Sequence, residues 1–360
     1  MNPDEKQVGN DVKCFINYLE SVSKFSGHWQ TAQQSYYRFA NWYFCSVFMA
    51  YLRYTASQNN YMIINFPVVG ILYGNSNGGK STFIKLLTKL VCGKAVAANS
   101  SNDFTASTIE GMKSLCEGVP IYIDDLAKTQ YANNCEKVIK DDNWGISGDT
   151  AKYLNYPALA ISTNKLPAVT ADISKRAVTC RIDAKISNED GAKSGKRINE
   201  AIRRAAGALF CEYVSMMFDR IDAMTGRMKQ GDDTYFPDIL AESSDVLYSI
   251  IQSYVSPMPA YAVKLNYNSY FGTTVLASKA ISKIIMAWET EPAQFKTNIK
   301  HNTLAYSFPD NAYYDMRYIA EELPPVLEAN LASRTLVMNL KEAQTFFGMK
   351  FKRTIFGVTK

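Results

Sequence analysis

The chain has 360 residues, 47% hydrophobic and 20% charged, with a net charge of +5. That mix excludes a disordered polymer, and the length accommodates two or three domains. The small basic excess permits a nucleic-acid partner without arguing for one.

Residues 1–61 read as a helical N-terminal domain. Val12, Phe15, Ile16 and Leu19 recur at helical spacing, and a second helix over 31–56 carries Tyr37, Phe39, Phe44, Phe48 and Leu52. The second helix is apolar around much of its circumference, as expected for one packed between other elements. Two readings follow: an oligomerisation collar, or a helical lid packed on the next domain. The most apolar early segment, 42–51, is too short to span a membrane, and the N-terminus has no apolar signal core.

Residues 62–187 alternate strands with helices, which predicts an α/β fold with a parallel sheet covered by helices. The expected strands are 67–73, 95–99, 119–124, 157–163 and 177–183, with helices at 80–91, 105–117 and 131–140. Residues 188–234 form an extension: 188–196 reads as a polar connector and 197–226 as helix. A C-terminal domain over 235–360 reads as mainly helical, with runs at 238–255, 275–288 and 315–331. A helix at 340–348 followed by two short strands within 350–358 outlines a winged helix. Lys350, Lys352 and Arg353 there offer a second, duplex-binding surface or a solvated basic tail.

The seven cysteines are Cys14, Cys45, Cys92, Cys116, Cys135, Cys180 and Cys211, with no C-x-x-C pair. With only His28 and His301 beside them, they argue against a zinc site. Scattered through expected helices and strands, they read as buried reduced thiols, hence a cytoplasmic protein.

The chemistry starts at Gly74-Asn75-Ser76-Asn77-Gly78-Gly79-Lys80-Ser81, which fits G-x-x-x-x-G-K-[ST] at every fixed position. An apolar run precedes it and Thr82 opens a helical pattern after it, the context that turns a text match into a phosphate site. Backbone N–H groups wrap the phosphates and the helix N-terminus favours negative charge. Lys80 is expected to reach the terminal phosphates of ATP, and Ser81 to hold Mg2+. Next, Pro120-Ile121-Tyr122-Ile123-Asp124-Asp125 is a strand ending in two carboxylates. Asp124 is assigned to magnesium, and Asp125 to a general base that polarises the attacking water. The strand Ala158–Thr163 ends at Asn164, expected to hold that water or touch the terminal phosphate; Ser162 and Thr163 read as strand-end residues. Arg176, before the last strand, is the candidate arginine finger supplied in trans, with Arg181 as the competing candidate.

The order of phosphate loop, strand with paired aspartates, Ser-Gly-Asp loop, strand ending Ser-Thr-Asn, then Asn-x-x-Pro and a Lys-Arg step resembles a superfamily 3 helicase. These are AAA+ ATPases of phages, plasmids and other mobile elements, and the likeness is closest to the helicase part of their primase-helicases. Ile161-Ser162-Thr163-Asn164-Lys165-Leu166-Pro167 carries it most closely. The resemblance implies an AAA+ core, a homo-oligomeric, hexameric ring with ATP sites between subunits, and a DNA-contacting hairpin between the second and third motifs. Lys140, Trp144, Gly148, Asp149 and Lys152 occupy that stretch. Lys152 is the expected phosphate contact, and Trp144 reads either as a base-stacking residue or as packed core. No primase motif precedes the ATPase, which suggests a free-standing helicase or the C-terminal part of a larger protein. Two function classes follow: a DNA helicase or translocase, and an AAA+ assembly or switch ATPase acting on a protein partner, for example in anti-phage defence. A small-molecule kinase fits less well, since no arginine-rich lid follows the loop.

Overall fold

The computed structural model describes residues 3–147, 152–164, 171–232, 234–309, 316, 319–320, 322–323, 327–351, 354–355 and 358–359. It divides into two compact units: residues 1–167 with 175–270, and residues 168–174 with 271–360.

In the first unit, α1 (Glu5–Ser21) starts at Asp4, whose carboxylate accepts the Lys6 N–H at 3.0 Å, and buries Val8, Val12, Phe15, Ile16 and Leu19. The two-residue β1 (Ser26–Gly27) follows. The long helix expected over 31–56 is two helices, α2 (Trp29–Cys45) and α3 (Met49–Gln58), joined by a 3-10 turn at Ser46–Phe48. Ser46 Oγ bonds back to the Tyr43 carbonyl at 2.7 Å, and Cys45 Sγ lies 3.3 Å from the Trp42 carbonyl. Such back-bonding competes with the helical ladder and bends it.

The central sheet is parallel, in the order β3-β4-β2-β5, from β2 (Val69–Gly74), β3 (Ile121–Ile123), β4 (Leu159–Thr163) and β5 (Ala177–Ile182). In β2 and β4, the strands with a neighbour on each side, every residue but Gly74 is buried, the near-continuous apolar run of a sheet covered on both faces. Helices α4 (Lys80–Cys92), α5 (Ala106–Leu115), α6 (Lys128–Ile139) and the short α7 (Ala171–Arg176) connect them. Helix α2 lies directly on β2 and β5. A Cβ on Gly70 would sit 2.1 Å from the Trp42 ring, so glycine is what lets this helix approach the sheet so closely. Trp42 Nε1 donates to the Pro67 carbonyl at 2.8 Å.

The strand expected at 95–99 does not form. Asn99 alone makes a parallel bridge to Ile123, while residues 94–97 are exposed. An alanine-rich segment with nothing outside it to pair against has little to hold it extended.

After β5 come β6 (Ala184–Lys185), which pairs with β1, and α8 (Asn188–Arg204). The polar connector expected at 188–196 is therefore helix. Ser187 Oγ caps it by accepting the Asp190 N–H at 3.1 Å; Glu189 and Asp190 stand in the first turn, Arg203 and Arg204 in the last. Capping and dipole complementarity stabilise a helix whose first half has no apolar stripe. Then α9 (Ala208–Lys229), α10 (Ile239–Tyr254) and α11 (Asn268–Phe271) follow; α9 and α10 pack on α1 and α2. Buried Asp11 of α1 accepts the Ala206 and Leu209 N–H groups at the head of α9, at 2.9 and 3.2 Å.

The second unit contains α12 (Thr273–Thr290) and an antiparallel sheet in the order β7-β8-β10-β9, from β7 (Phe295–Asn298), β8 (Thr303–Ser307), β9 (Asn330–Ala332) and β10 (Thr335–Asn339). The mainly helical reading of 235–360 had no place for this sheet, which stands beside the helices of that stretch. Leu304, Tyr306, Leu336 and Met338 are buried at every second position, and their neighbours are less so. The end of the helix expected at 315–331 lies in β9. Helix α13 (Leu340–Phe347) and the pair β11 (Thr354–Ile355) and β12 (Val358–Thr359) match the helix-and-hairpin outline in order; Lys352 and Arg353 lie outside the described residues.

Four cysteines are buried, but Cys211 is exposed, contrary to the uniform burial expected. Among the described residues, no helix is long and apolar enough to cross a membrane.

Candidate active site

Strand β2 delivers the glycine loop, and α4 starts at Lys80. Gly74 has φ +138° and a Cβ there would lie 2.1 Å from the Ile182 carbonyl; Gly79 has φ +86°. Both positions need glycine. The loop is tied to the β5 edge by Asn75 N–H to the Ile182 carbonyl at 3.2 Å and Ile186 N–H to the Asn77 carbonyl at 3.0 Å. Gly78 N–H closes it on the Asn75 carbonyl at 3.3 Å. Ser76 stands exposed on the loop and Thr82 is half-buried in the first turn of α4.

Lys80 is buried at 5% exposure, and its Nζ donates to the Gly74 carbonyl, the Asn75 carbonyl and Asn164 Oδ1 at 3.0, 2.7 and 2.9 Å. Burial pulls its pKa down to about 8, against the opposing pull of Asp125 and Asp124. Asn164 then passes the contact on: its Nδ2 donates to Asp125 Oδ1 at 2.6 Å. Lysine, amide and carboxylate thus form one chain across the tips of β2, β4 and β3. This works because β4 lies between the other two strands, so Asn164 at its tip faces both.

Ser81 Oγ donates to Asp124 Oδ1 at 2.7 Å. The same oxygen accepts Tyr122 OH at 2.5 Å and Ser162 Oγ at 2.6 Å. Burial alone would raise the Asp124 pKa, but these three donors outweigh it and hold the carboxyl below its usual range. Asp125 sits at φ +48°, a left-handed conformation that aspartate tolerates better than most residues, and its N–H donates to Ser162 Oγ at 3.0 Å. Among the described residues no three His, Cys, Asp or Glu side chains converge on a metal position. A single carboxylate with a serine hydroxyl suits magnesium, which keeps waters and takes its remaining ligands from substrate phosphates.

Sequence reasoning missed Tyr122 and Ser162 as partners of Asp124, although the signal was present. Tyr122 and Asp124 share one face of a strand by the two-residue period, and the register Tyr122↔Ala160 brings Ser162 opposite Asp124. It also missed Asp183, which pairs with Arg181 at 3.2 Å and His28 at 3.2 Å and accepts from Asn75 at 3.4 Å. Tyr18 and Tyr36, which touch the loop from the N-terminal helices, had no signal at motif spacing.

Of the remaining candidates, Arg181 stands at the loop end and the others lie elsewhere. Arg176 precedes β5, and the register pairs Val69 with Ala177 but Gly74 with Ile182. Arg176 is therefore at the opposite end of the sheet from its own glycine loop, about 20 Å along the strand. Its guanidinium is 3.6 Å from Asp142. Arg181 pairs across from Tyr73, at the loop end. Trp144 is fully buried: Nε1 donates to the Pro157 carbonyl at 2.9 Å, and Lys113 Nζ lies 4.1 Å from the ring centroid. That corrects its reading as a base-stacking residue, since no face of the indole is open. Lys140 pairs with Glu136 at 3.3 Å. Lys152 is exposed, beside an antiparallel bridge between Ile146 and Tyr153, and Ser147 N–H donates to its carbonyl at 2.8 Å. Gly148 and Asp149, and Lys165 to Pro167 of the third motif, lie outside the described residues.

No curated protein matches this chain. A solved structure described as "SCCmec type IV Cch - active helicase" is similar at 16% identity, over 87% of this chain and 68% of that one, with a TM-score of 0.44. The family model for the Aq_aa27 P-loop NTPase domain matches residues 2–166. The match takes in the N-terminal helices, the glycine loop and the tips of β3 and β4, so this chain carries a P-loop NTPase domain.

Proposed function

We propose that the chain is an ATP-driven, oligomeric DNA helicase or translocase of the phage and plasmid type, built as a superfamily 3 AAA+ ATPase. The observation that carries this reading is the Lys80–Asn164–Asp125 chain. It sets an amide between the phosphate-binding lysine and a carboxylate, where an attacking water needs to be held and deprotonated. That is an arrangement for hydrolysis rather than for transfer to a small molecule. Lys80 gives its Asn164 bond to the terminal phosphate of ATP, and the freed amide orients the water against Asp125. Ser81 and Asp124 hold Mg2+, whose charge offsets that of the phosphates.

The position of Arg176, far from its own loop, supports a finger acting on the neighbouring subunit of a hexameric ring. The exposed position of Lys152, beside the bridge between Ile146 and Tyr153, supports its role as a contact to the DNA backbone. The second reading, an AAA+ assembly or switch ATPase acting on a protein partner, is favoured by how few residues separate the bridged Ile146 and Tyr153, which leaves little chain for a long DNA-contacting hairpin.

ATPase rate with and without single-stranded DNA, alongside forked-duplex unwinding, separates the two. Lys152→Ala should abolish DNA stimulation and keep basal hydrolysis. Mixing Arg176→Ala with Lys80→Ala subunits should recover activity that neither has alone. An intact protein that binds no DNA at low salt belongs to the second reading.

A further inference from the structure

Two tyrosines of the N-terminal helices reach the back of the glycine loop. Tyr18 of α1 donates to the Gly79 carbonyl at 2.7 Å, and Tyr36 of α2 donates to the Gly78 carbonyl. Both side chains are buried, and their rings pack on Phe83 of α4 with centroids 5.1 and 4.6 Å away. Burial raises both phenol pKa values, so both remain donors.

A trans peptide unit points its carbonyl and its N–H in opposite directions. Holding the Gly78 carbonyl from behind therefore aims the Gly79 N–H forward, and holding the Gly79 carbonyl does the same for the Lys80 N–H. The Gly79 carbonyl also accepts the Phe83 N–H at 2.9 Å, so it lies along α4 and the Lys80 N–H leaves the helix N-terminus. Glycine peptide units rotate easily, because no Cβ limits them. The loop has glycines at these two positions, and the two hydroxyls sit where they restrict that rotation.

We propose that Tyr18 and Tyr36 are positioning residues for nucleotide binding, which pre-orient the Gly79 and Lys80 N–H groups toward the β-phosphate of a nucleoside di- or triphosphate. This rests on the nucleotide-binding reading of the loop. It also makes the N-terminal helices part of the phosphate site: whatever shifts α1 or α2 changes nucleotide affinity.

The test is the affinity of the full chain for ADP and for AMP, by competition against a fluorescent ADP, in wild type, Tyr18→Phe, Tyr36→Phe and Lys80→Ala. The phenylalanines keep the rings on Phe83 and remove only the hydroxyls. Each should bind ADP about five- to tenfold more weakly, about the worth of one hydrogen bond, and AMP as wild type does. Tyr36→Phe leaves the Gly78 carbonyl without its tyrosine and is the variant at risk of misfolding; Tyr18→Phe leaves the Gly79 carbonyl its Phe83 partner and should fold. Unchanged ADP affinity in Tyr18→Phe overturns the proposal while Lys80→Ala still reports on the loop. An equal loss for ADP and AMP also overturns it, since the hydroxyls would then only hold the fold. If wild type binds neither nucleotide, the underlying reading falls first.

Discussion

Lys80 and Lys113 are both buried lysines, 5% and 3% exposed, at the two ends of the same α/β layer, and they differ in what surrounds them. Lys113 bonds to two carboxylates, Glu110 at 2.9 Å and Asp141 at 2.6 Å, and lies over the faces of Trp144 and Tyr156. Its charge is matched within the fold. Lys80 bonds to three neutral oxygens, with Asp125 one amide further on. Its charge is left for a ligand to match. A buried charge matched by carboxylates serves the structure, while one held only by amide oxygens is poised for an anion.

The largest effect is expected at Asp125, one amide beyond Lys80. Asp125→Asn should lower ATP turnover by about a thousandfold with nucleotide binding kept, because the amide cannot take a proton from water. Normal turnover in single-turnover hydrolysis would remove Asp125 from the water-activating role. Lys80→Ala should weaken ATP binding by at least about a hundredfold and leave thermal stability near wild type, since no bonded carboxylate loses its partner. A large drop in melting temperature would erase the distinction from Lys113.

The reverse is expected of Lys113→Met. It strands Asp141 and should cost about 2 kcal/mol of stability in urea unfolding, with the ATPase rate per folded molecule unchanged. A catalytic loss without destabilisation would sink the assignment. The smallest effect is on pH dependence. Lys80 at about 8 loses its proton as pH rises through 8, so ADP affinity should fall about tenfold between pH 7 and 9. The stability contribution has the opposite sign: the unfolded lysine holds its proton to a higher pH, so this group favours the folded state increasingly as pH rises above 8. Titration calorimetry and denaturant melts across that range check both signs.

The glycine loop was legible because phosphate chemistry restricts local sequence: Gly74 and Gly79 at positive φ, a lysine and a hydroxyl at the head of a helix. The aspartates and Asn164 were legible for a related reason, since each stands at the end of an apolar strand. Helix α8 and the second unit's sheet were misread although each carried a signal. Ser187 caps α8, and β8 and β10 alternate at a period of two. Their polar or short patterns were weaker than the helical ones beside them.

Sequence by itself determined the parts whose geometry is local: strand, loop, helix and the carboxylates that end a strand. Only the tertiary structure decided which strand lies between which, and so that Asn164 bridges Lys80 and Asp125 while Arg176 faces the other end of the sheet. It alone brought Tyr18 and Tyr36 behind the glycines, 61 and 42 residues away in sequence, and closed Trp144 within the core. The physical reason is range. Backbone conformation is set by near neighbours, while burial and long-range hydrogen bonds depend on packing that no single segment encodes.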